Sequence, residues 1–249
     1  MSRNQSFSPM EVSALAVRLT WASVEIMVDD VEQLQILVAG SDADCGDLKV
    51  ELSDGTLLLE QPAIGININL MAGRWMDVFI RMPLKWRGPV ELSTRSGRIN
   101  ARGLCGTDIR LESVTGDLRV MNVSGIDCMM HTVSGHLFGG MVDCERLTLR
   151  SVASDITMED VSFRTVKVAS VSGSIRLGAT RPIEAVDANT VTGHLTISAP
   201  VSQIRLSYHS VSGQLRTRGV ALQQSGIPIS LSSVSGDLEI NGLTDDAME

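Results

Sequence analysis

The chain has few aromatic residues, few cysteines and no long apolar run. Aromatic residues make up 3% of its 249 residues. No stretch approaches the roughly 18 apolar residues that a membrane-spanning helix needs, which excludes a helical membrane protein. The four cysteines, Cys45, Cys105, Cys128 and Cys144, show no CxxC spacing and are too sparse for a small disulfide-stapled scaffold. Their pattern is typical of a reducing compartment.

Positive charge is also scarce. Lysine and arginine number 21 against 29 aspartates and glutamates, giving a net charge of −8. Without a basic stripe to neutralise phosphates, an electrostatic nucleic-acid binder is excluded and an anionic membrane surface is disfavoured. The start, "MSRNQSFSPMEVSALAVRLTW", lacks the cationic and apolar segments of a secretory signal. We therefore expect a cytoplasmic protein, which a partner could still bring to the cell envelope.

The sequence does contain one phrase written many times, as in "SVTGDLRV", "TVSGHLFG", "SVSGSIRL", "TVTGHLTI" and "SVSGDLEI". Aligning these copies on their glycine gives eight repeats, with spacings of 19, 19, 19, 19, 20, 20 and 23 residues. The aligned column is Gly97, Gly116, Gly135, Ser154, Gly173, Gly193, Gly213 and Gly236. A fixed period of about 20 residues is typical of a stacked repeat protein.

Within each repeat, apolar and polar residues alternate with a period of two, which predicts strands. Strands of about four residues cannot bury an apolar face alone, whereas coils stacked at roughly 4.8 Å can share one core. The sequence therefore predicts an all-β fold, a single-stranded parallel β-helix (β-solenoid) with about 19–20 residues per coil. A right-handed turn is favoured because parallel crossovers are overwhelmingly right-handed.

The alternation also predicts which side chains face the core. It places the valine two residues before the glycine inside, as at Val171, together with the glycine itself at a crowded corner. It places the hydroxyls one and three residues before the glycine outside, as at Ser172 and Ser170, with a corner at Ala169 and Ser170. Two outward hydroxyl rows could bind ice or a crystalline polymer, or could satisfy each other and the backbone.

The first third of the chain lacks the phrase but keeps strand-like segments, such as "VEIMV" at 24–28, "ININ" at 66–69 and "DVFIRMP" at 77–83. Asp54-Gly55 between apolar runs predicts a hairpin turn. We expect residues 1–88 to form irregular β coils that cap the solenoid, and residues 89–249 to form the regular solenoid of eight repeats. A separate small β domain is the alternative for the first third.

The order of these segments resembles a known bacterial family. "LQILVAGSDADCGDLKVELSDGTLLLEQ", then "VFIRMP", then the serial SVSG-type phrases, is similar to putative adhesin domains of unknown function, over roughly residues 14–243. The resemblance implies a β-helical fold, found alone or attached to membrane anchors. It implies no catalytic residues.

Stacking would bring outward polar residues into columns, and three of these are candidate sites. A line of Asp and His with alternating charge could bind a metal or perform acid–base chemistry, or could simply pair opposite charges. A row of arginines on one sheet face would suit a polysaccharide-cleaving solenoid. The columns are Arg98, Asp117, His136 and Asp155; Glu112 and His131, followed by Arg150; and Arg119, Arg176 and Arg216.

These features predict a non-enzymatic, adhesin-like interaction or scaffold protein. No nucleophile elbow, HExxH or phosphate-binding loop is present, so we expect no catalytic residue, metal or cofactor. The expected partner is an unknown macromolecule, protein or glycan, or a second copy of the chain, with no nucleic acid and no direct membrane insertion. The alternative is a carbohydrate-binding or carbohydrate-cleaving β-helix protein.

Overall fold

The computed structural model describes residues 2–41, 48–61 and 75–243, and the regular secondary structure in these ranges is all strand. The strands are β1 (Ser2–Phe7), β2 (Ala14–Leu19), β3 (Ser23–Asp29), β4 (Leu34–Gly40), β5 (Lys49–Ser53), β6 (Thr56–Glu60), β7 (Met76–Pro83), β8 (Val90–Thr94), β9 (Ile99–Arg102), β10 (Cys105–Ser113), β11 (Leu118–Thr132), β12 (Leu137–Ala153), β13 (Ile156–Ser172), β14 (Ile175–Ala179), β15 (Ala185–Thr190), β16 (Leu195–Ala199), β17 (Gln203–Ser210), β18 (Leu215–Arg218), β19 (Ala221–Leu222), β20 (Ile227–Ser233) and β21 (Leu238–Gly242).

Successive repeats pair in parallel and in register, which confirms the predicted stacking of residues about 19 apart. Ile109 lies opposite Val90 on one side and Cys128 on the other. The same column continues through Leu147 and Val166. The chain is thus an all-β repeat solenoid, in which main-chain hydrogen bonds join each coil to the next.

The order of coils departs from the chain order at the C-terminal end. The coil of β20 and β21 pairs with β15 and β16 on one side and with β17 and β18 on the other. The last repeat therefore inserts between the sixth and the seventh, and the simple sequential stack expected from the spacing is wrong here. The 23-residue final spacing supplies the chain needed to pass around the outer coil.

A matching insertion occurs at the other end. The coil of β2 and β3 lies between β8 and β9 on one side and β6 and β7 on the other. Antiparallel strands then complete this end: β5 pairs with β6, β4 with β7, and β1 with β4. Asp54 and Gly55, both with positive φ, form the predicted turn between β5 and β6. The predicted "ININ" segment lies outside the described residues.

The core consists of stacked aliphatic columns. Residues seven and five positions before the glycine and two and four after it are buried in nearly every repeat, as at Leu147, Leu149, Leu137 and Val120. These columns were predicted from the alternation, and the structure confirms them. Burial of such side chains at about 25 cal/mol per Å² supplies most of the stability of the tube.

The corner before the glycine differs from its prediction. The hydroxyl three residues before the glycine is buried, as at Thr132, and the valine two residues before it is exposed in every described coil but that of Val133, which is half-buried. The Gly135 N–H donates to Thr132 Oγ1 at 3.2 Å, and that hydroxyl donates to the Gly135 carbonyl at 3.1 Å. Equivalent bonds to the glycine N–H recur at Thr94, Ser113, Thr190, Ser210 and Ser233. A small side chain that satisfies a buried N–H takes the inner position, which valine cannot do.

Close backbone stacking explains the glycine. A Cβ added to Gly135 would lie 2.1 Å from the carbonyl oxygen of Gly116 in the preceding coil, and the other glycines of the column meet similar carbonyls. Within this column only Gly173 has a positive φ, in the coil that follows Ser154. The column therefore selects glycine mainly for space between coils.

A second corner follows six residues after the glycine, where the backbone is left-handed. Gly103, Asn122, Met141 and Asp160 occupy it in four consecutive coils, all with positive φ. Asparagine, aspartate and glycine adopt this region at low cost. Met141 adopts it because the coils on both sides impose the same turn.

We predict that Gly135→Ala destabilises the chain by about 2–3 kcal/mol, because the new methyl group overlaps a carbonyl that the neighbouring coil holds in place. Gly178→Ala is the matched control, since its added Cβ would meet nothing nearer than 3.6 Å. That variant should change the free energy of unfolding by less than about 0.5 kcal/mol. Urea unfolding followed by circular dichroism measures both, and equal losses would contradict the stacking argument.

Candidate functional site

An exposed row of valines runs along the solenoid. It consists of the valines two residues before the glycine, here named the valine ridge, in spatial order Val114, Val133, Val152, Val171, Val191, Val234 and Val211. Val133 is half-buried and the others are exposed, from 40% at Val114 to 82% at Val211. Main-chain hydrogen bonds link neighbouring coils here, such as Thr192 N to Val171 O at 2.9 Å. Seven coils at roughly 4.8 Å give a ridge about 29 Å long.

The outer hydroxyl row lies beside the ridge and is engaged with the backbone. Ser134 Oγ donates to Val114 O at 3.3 Å, and Thr192 Oγ1 donates to Val171 O at 3.2 Å. Ser172 and Ser212 make the same bond to a valine carbonyl of the neighbouring coil, whereas Thr115 donates to Arg95 O. Because these hydroxyls already donate to main-chain carbonyls, their main role is to join neighbouring coils at the corner.

A groove follows the other side of the ridge. Its floor is the buried hydroxyl row, its first wall is the valine ridge, and its second wall is the column four residues before the glycine. Two adjoining hollows of about 320 and 370 Å³ form it and share Asn189 and Thr190. The residues of the second wall are His131, Arg150, Ala169, Asn189, Ser232 and His209. We call this feature the ridge groove; six coils give it a length of about 24 Å.

The ridge groove lacks negative charge although the chain is acidic. The chain has 29 aspartates and glutamates, and none that the structure describes lines either hollow. Arg150 is exposed, and His131 and His209 stand on the same wall. Among the ion pairs of the described residues, none involves Arg150, whereas Arg110, Arg164 and Arg181 are each paired with a carboxylate. The described lining of the groove therefore carries no carboxylate and one guanidinium, that of Arg150, without an ion-pair partner among the described residues.

In the predicted Asp and His column, the aspartate carboxylates accept main-chain hydrogen bonds. Asp117 Oδ1 accepts the His136 main-chain N–H at 3.1 Å and lies 3.5 Å from His136 Nδ1. Asp155 Oδ1 accepts the Ser174 N–H at 2.7 Å in the same way. Each carboxylate thus accepts a hydrogen bond from the N–H of the residue that follows the glycine in the next coil. Arg98, at the start of the column, has its main-chain N–H bonded to Ser23 Oγ.

The other two predicted columns are partly assembled. Glu112 lies opposite His131 on the adjacent coil, and His131 in turn lies opposite Arg150. In the arginine column, Phe138 and Thr157 separate Arg119 from Arg176. Arg216 lies opposite Glu239 and bonds Gln214 Oε1 at 3.4 Å. The structure therefore does not bring the three arginines together.

Ion pairs elsewhere link outward side chains on neighbouring coils. A hydrogen bond from the Arg146 guanidinium holds the pKa of the Asp127 carboxyl below its usual range. Such a carboxylate stabilises the fold above its unfolded pKa, and this contribution is lost as pH falls through the lower folded pKa. Because both side chains are about half exposed, solvent screening keeps the contribution small.

The described residues contain no group of three or more His, Cys, Asp or Glu that could hold a metal ion. The thiols of Cys128 and Cys144 are buried and unoxidised. Their mutual hydrogen bond and their burial raise the pKa of Cys144, which keeps it a protonated core side chain rather than a nucleophile.

A separate cavity of about 630 Å³ lies near the N-terminal end, between residues 9–13, 30–32 and 83–88. Met10 and Leu84 are exposed at it, and Trp86 is buried with its Nε1–H donating to Val12 O at 2.7 Å. Lys85 stands among the lining residues. The sequence pattern gave no sign of this cavity, because its residues come from three segments outside the repeats.

We predict that Asp117→Ala destabilises the fold by about 0.5–1.5 kcal/mol, since it leaves the His136 N–H without its acceptor. His136→Ala is the control: its side chain is 77% exposed and its loss should cost less than about 0.5 kcal/mol. Thermal unfolding with and without Zn²⁺ tests the alternative. A zinc-dependent stabilisation abolished by both variants would contradict the capping role.

No helix able to cross a membrane occurs in the part of the chain that the structure describes. None of the curated proteins compared with this chain matches its sequence.

Solved structures from Bacteroides and Parabacteroides species have the same fold. A putative adhesin from Bacteroides fragilis is 15% identical, with a TM-score of 0.63 over 98% of this chain and 97% of that one. A putative adhesin from Parabacteroides distasonis is 10% identical, with a TM-score of 0.61 over 96% of each chain. A putative lipid binding protein from the same species is 15% identical, with a TM-score of 0.57 over 98% and 96%. At these identities the likeness shows the fold alone.

A family model described as Toastrack DUF4097 matches residues 12–246, which is most of the chain. The match spans both insertion coils and the whole valine ridge, so it rests on the complete solenoid and not on a few repeats. This chain therefore belongs to the Toastrack DUF4097 family.

Proposed function

We propose that the chain is a non-enzymatic, adhesin-like binding scaffold that holds an extended macromolecule along the ridge groove. The exposed valine ridge is the observation that carries this proposal. A contiguous apolar stripe on a soluble surface is costly to leave in water and commonly marks an interaction site. The names of the related structures, two of them putative adhesins, fit a binding role.

The shape of the groove favours an extended partner. Its two hollows are open along their length, and every wall position recurs at the coil spacing. Main-chain groups beneath it are already paired between coils, for example Val191 N with Ser170 O. Binding there would thus use side chains, with the valines as the apolar contact and the opposite wall as the polar one.

The residues of the groove also favour binding over cleavage. Glycoside hydrolysis ordinarily needs two carboxyl groups placed on either side of the scissile bond. The described lining contains none. Of the two parts of the carbohydrate alternative, the groove therefore supports binding.

We also propose the finer description of the fold, a right-handed single-stranded parallel β-helix with residues 1–88 as its cap. Right-handed crossovers between parallel strands are strongly preferred, and the antiparallel strands of the first third fit a capping role.

Replacing ridge valines by threonine tests the binding site without changing side-chain shape. We expect the triple variant Val171→Thr, Val191→Thr, Val234→Thr to weaken binding at least about tenfold, because three apolar methyl groups are lost at roughly 0.8 kcal/mol each when fully buried. Surface plasmon resonance on immobilised dextran, polygalacturonate and denatured collagen measures it.

The matched control compares two single variants. Val191→Thr replaces a methyl group by a hydroxyl and Ile126→Thr replaces an ethyl group by a hydroxyl, at residues that are 41% and 42% exposed, but Ile126 does not line the groove. Equal weakening by both, or no binding of any of the three polymers by the wild type, would refute the proposal.

A second candidate function is suggested by the cavity at Trp86. Its exposed apolar residues suit an amphipathic ligand, and one structural relative is named a putative lipid binding protein. The cavity lining offers Lys85 and Arg87 to an anionic head group, beside the carboxylates of Asp30 and Glu32.

Titration with oleate, followed by tryptophan fluorescence, tests this second candidate. We expect saturable quenching that Leu84→Asp weakens at least about tenfold, since a carboxylate would be buried against the acyl chain. Leu52→Asp, on β5 and outside the cavity lining, should leave it unchanged. Unsaturable quenching, or equal loss in both variants, would exclude the cavity as a lipid site.

A further inference from the structure

We propose that the partner of the ridge groove is an acidic polysaccharide, a polymer of sugars that carry carboxylates. This inference rests on the proposed function and names the chemistry of its ligand. The charge of the groove lining, which comes from Arg150, is opposite in sign to the net charge of the whole chain.

The net charge of −8 repels polyanions from most of the surface. In the groove that repulsion is locally relieved, because the described lining has no carboxylate over six coils. The carboxylates nearest this wall are few: Asp187, which accepts a hydrogen bond from Asn189 Nδ2 at 3.2 Å and keeps its charge, and Glu112, which lies at the end of the wall on the coil before His131. An anionic polymer would therefore meet less repulsion in the groove than on faces that carry carboxylates on successive coils.

Arg150 supplies the specific contact. Its guanidinium is exposed, stands on the groove wall and takes part in no ion pair within the described residues. A free guanidinium presents a planar fork that matches a carboxylate with two parallel hydrogen bonds. His131, Asn189 and His209 add hydrogen-bonding groups on the same wall, at intervals of one or a few coils.

The opposite wall distinguishes a sugar polymer from other polyanions. A pyranose ring has one face of C–H groups, which can pack on the aliphatic valine ridge, and hydroxyl groups at its edge, which can reach Asn189 and the histidines. Polyphosphate offers no apolar face, and polyglutamate offers only flexible side chains. One ring is also about as long as the coil spacing, so that successive sugars can repeat the same contacts.

Affinity electrophoresis of the whole chain through gels that contain sodium polygalacturonate, dextran, polyphosphate or poly-L-glutamate tests the inference. We expect retardation by polygalacturonate that weakens with added salt, and at least about tenfold weaker binding in Arg150→Glu. Arg176→Glu, the same charge change on another face, is the control and should bind within about twofold of the wild type. The triple valine-to-threonine variant should also bind polygalacturonate more weakly. Circular dichroism melts confirm that each variant is folded.

Each of the other possible results would contradict a specific part of the proposal. If dextran binds as tightly as polygalacturonate and only the valine variant weakens it, the acidic ligand is wrong while the proposed function stands. If polyphosphate or polyglutamate binds as tightly, the groove recognises charge and not sugar. If Arg176→Glu weakens binding as much as Arg150→Glu, or if neither arginine nor the valines matter, polygalacturonate binds outside the groove and the acidic-ligand inference falls.

Discussion

The whole structure depends on coils stacking backbone on backbone at the spacing of a β-sheet. At the corner of each repeat the distance is so short that the glycine of one coil faces the carbonyl of the next at a distance where no Cβ fits. In most coils the inward hydroxyl three residues earlier accepts a hydrogen bond from the glycine N–H, as at Gly116 and Gly135, so the close approach does not leave that donor unpaired. The lack of room for a Cβ and the hydrogen bond to the glycine N–H thus act at the same corner, and together they select a hydroxyl residue followed three positions later by glycine.

Once this corner is set, the orientation of its neighbours follows. The chain must turn two side chains outward between the hydroxyl and the glycine, and these are the valine and the second hydroxyl. The second hydroxyl bonds the carbonyl of the neighbouring coil. The valine has no such partner, and repetition aligns it with its equivalents into the valine ridge. The candidate binding surface is therefore a geometric consequence of how the coil turns.

Both ends use the same topological device. The first and last coils of the chain are inserted between two others, so each is paired on both sides. At the C-terminal end the coil that faces outward, β17 and β18, is an internal segment held through its connections at two points. There the arrangement protects the last repeat from fraying, which in a simple stack would begin at the last strand. At the other end β1 pairs only with β4 and forms the edge.

The charged residues are distributed unevenly over the surface of the solenoid. Ion pairs and capping carboxylates occupy the other faces, where residues such as Asp127 and Asp155 bind partners on adjacent coils. The ridge groove is left with Arg150, two histidines and amide and hydroxyl groups. The proposed recognition of a polymer rests on this composition.

The sequence by itself determined the period, the strand content and the inward columns, because aliphatic residues such as Leu147 and Leu149 recur at fixed positions whose burial decides the fold. It also predicted the turn at Asp54 and Gly55. It did not determine the orientation of the corner, since hydropathy alone puts Val171 inside and Ser170 outside. Only the tertiary structure shows that the buried glycine N–H needs the hydroxyl. The order of the end coils was also decided there, because repeats with equivalent faces can stack in more than one order. The ridge groove and the cavity at Trp86 depend on those same long-range contacts.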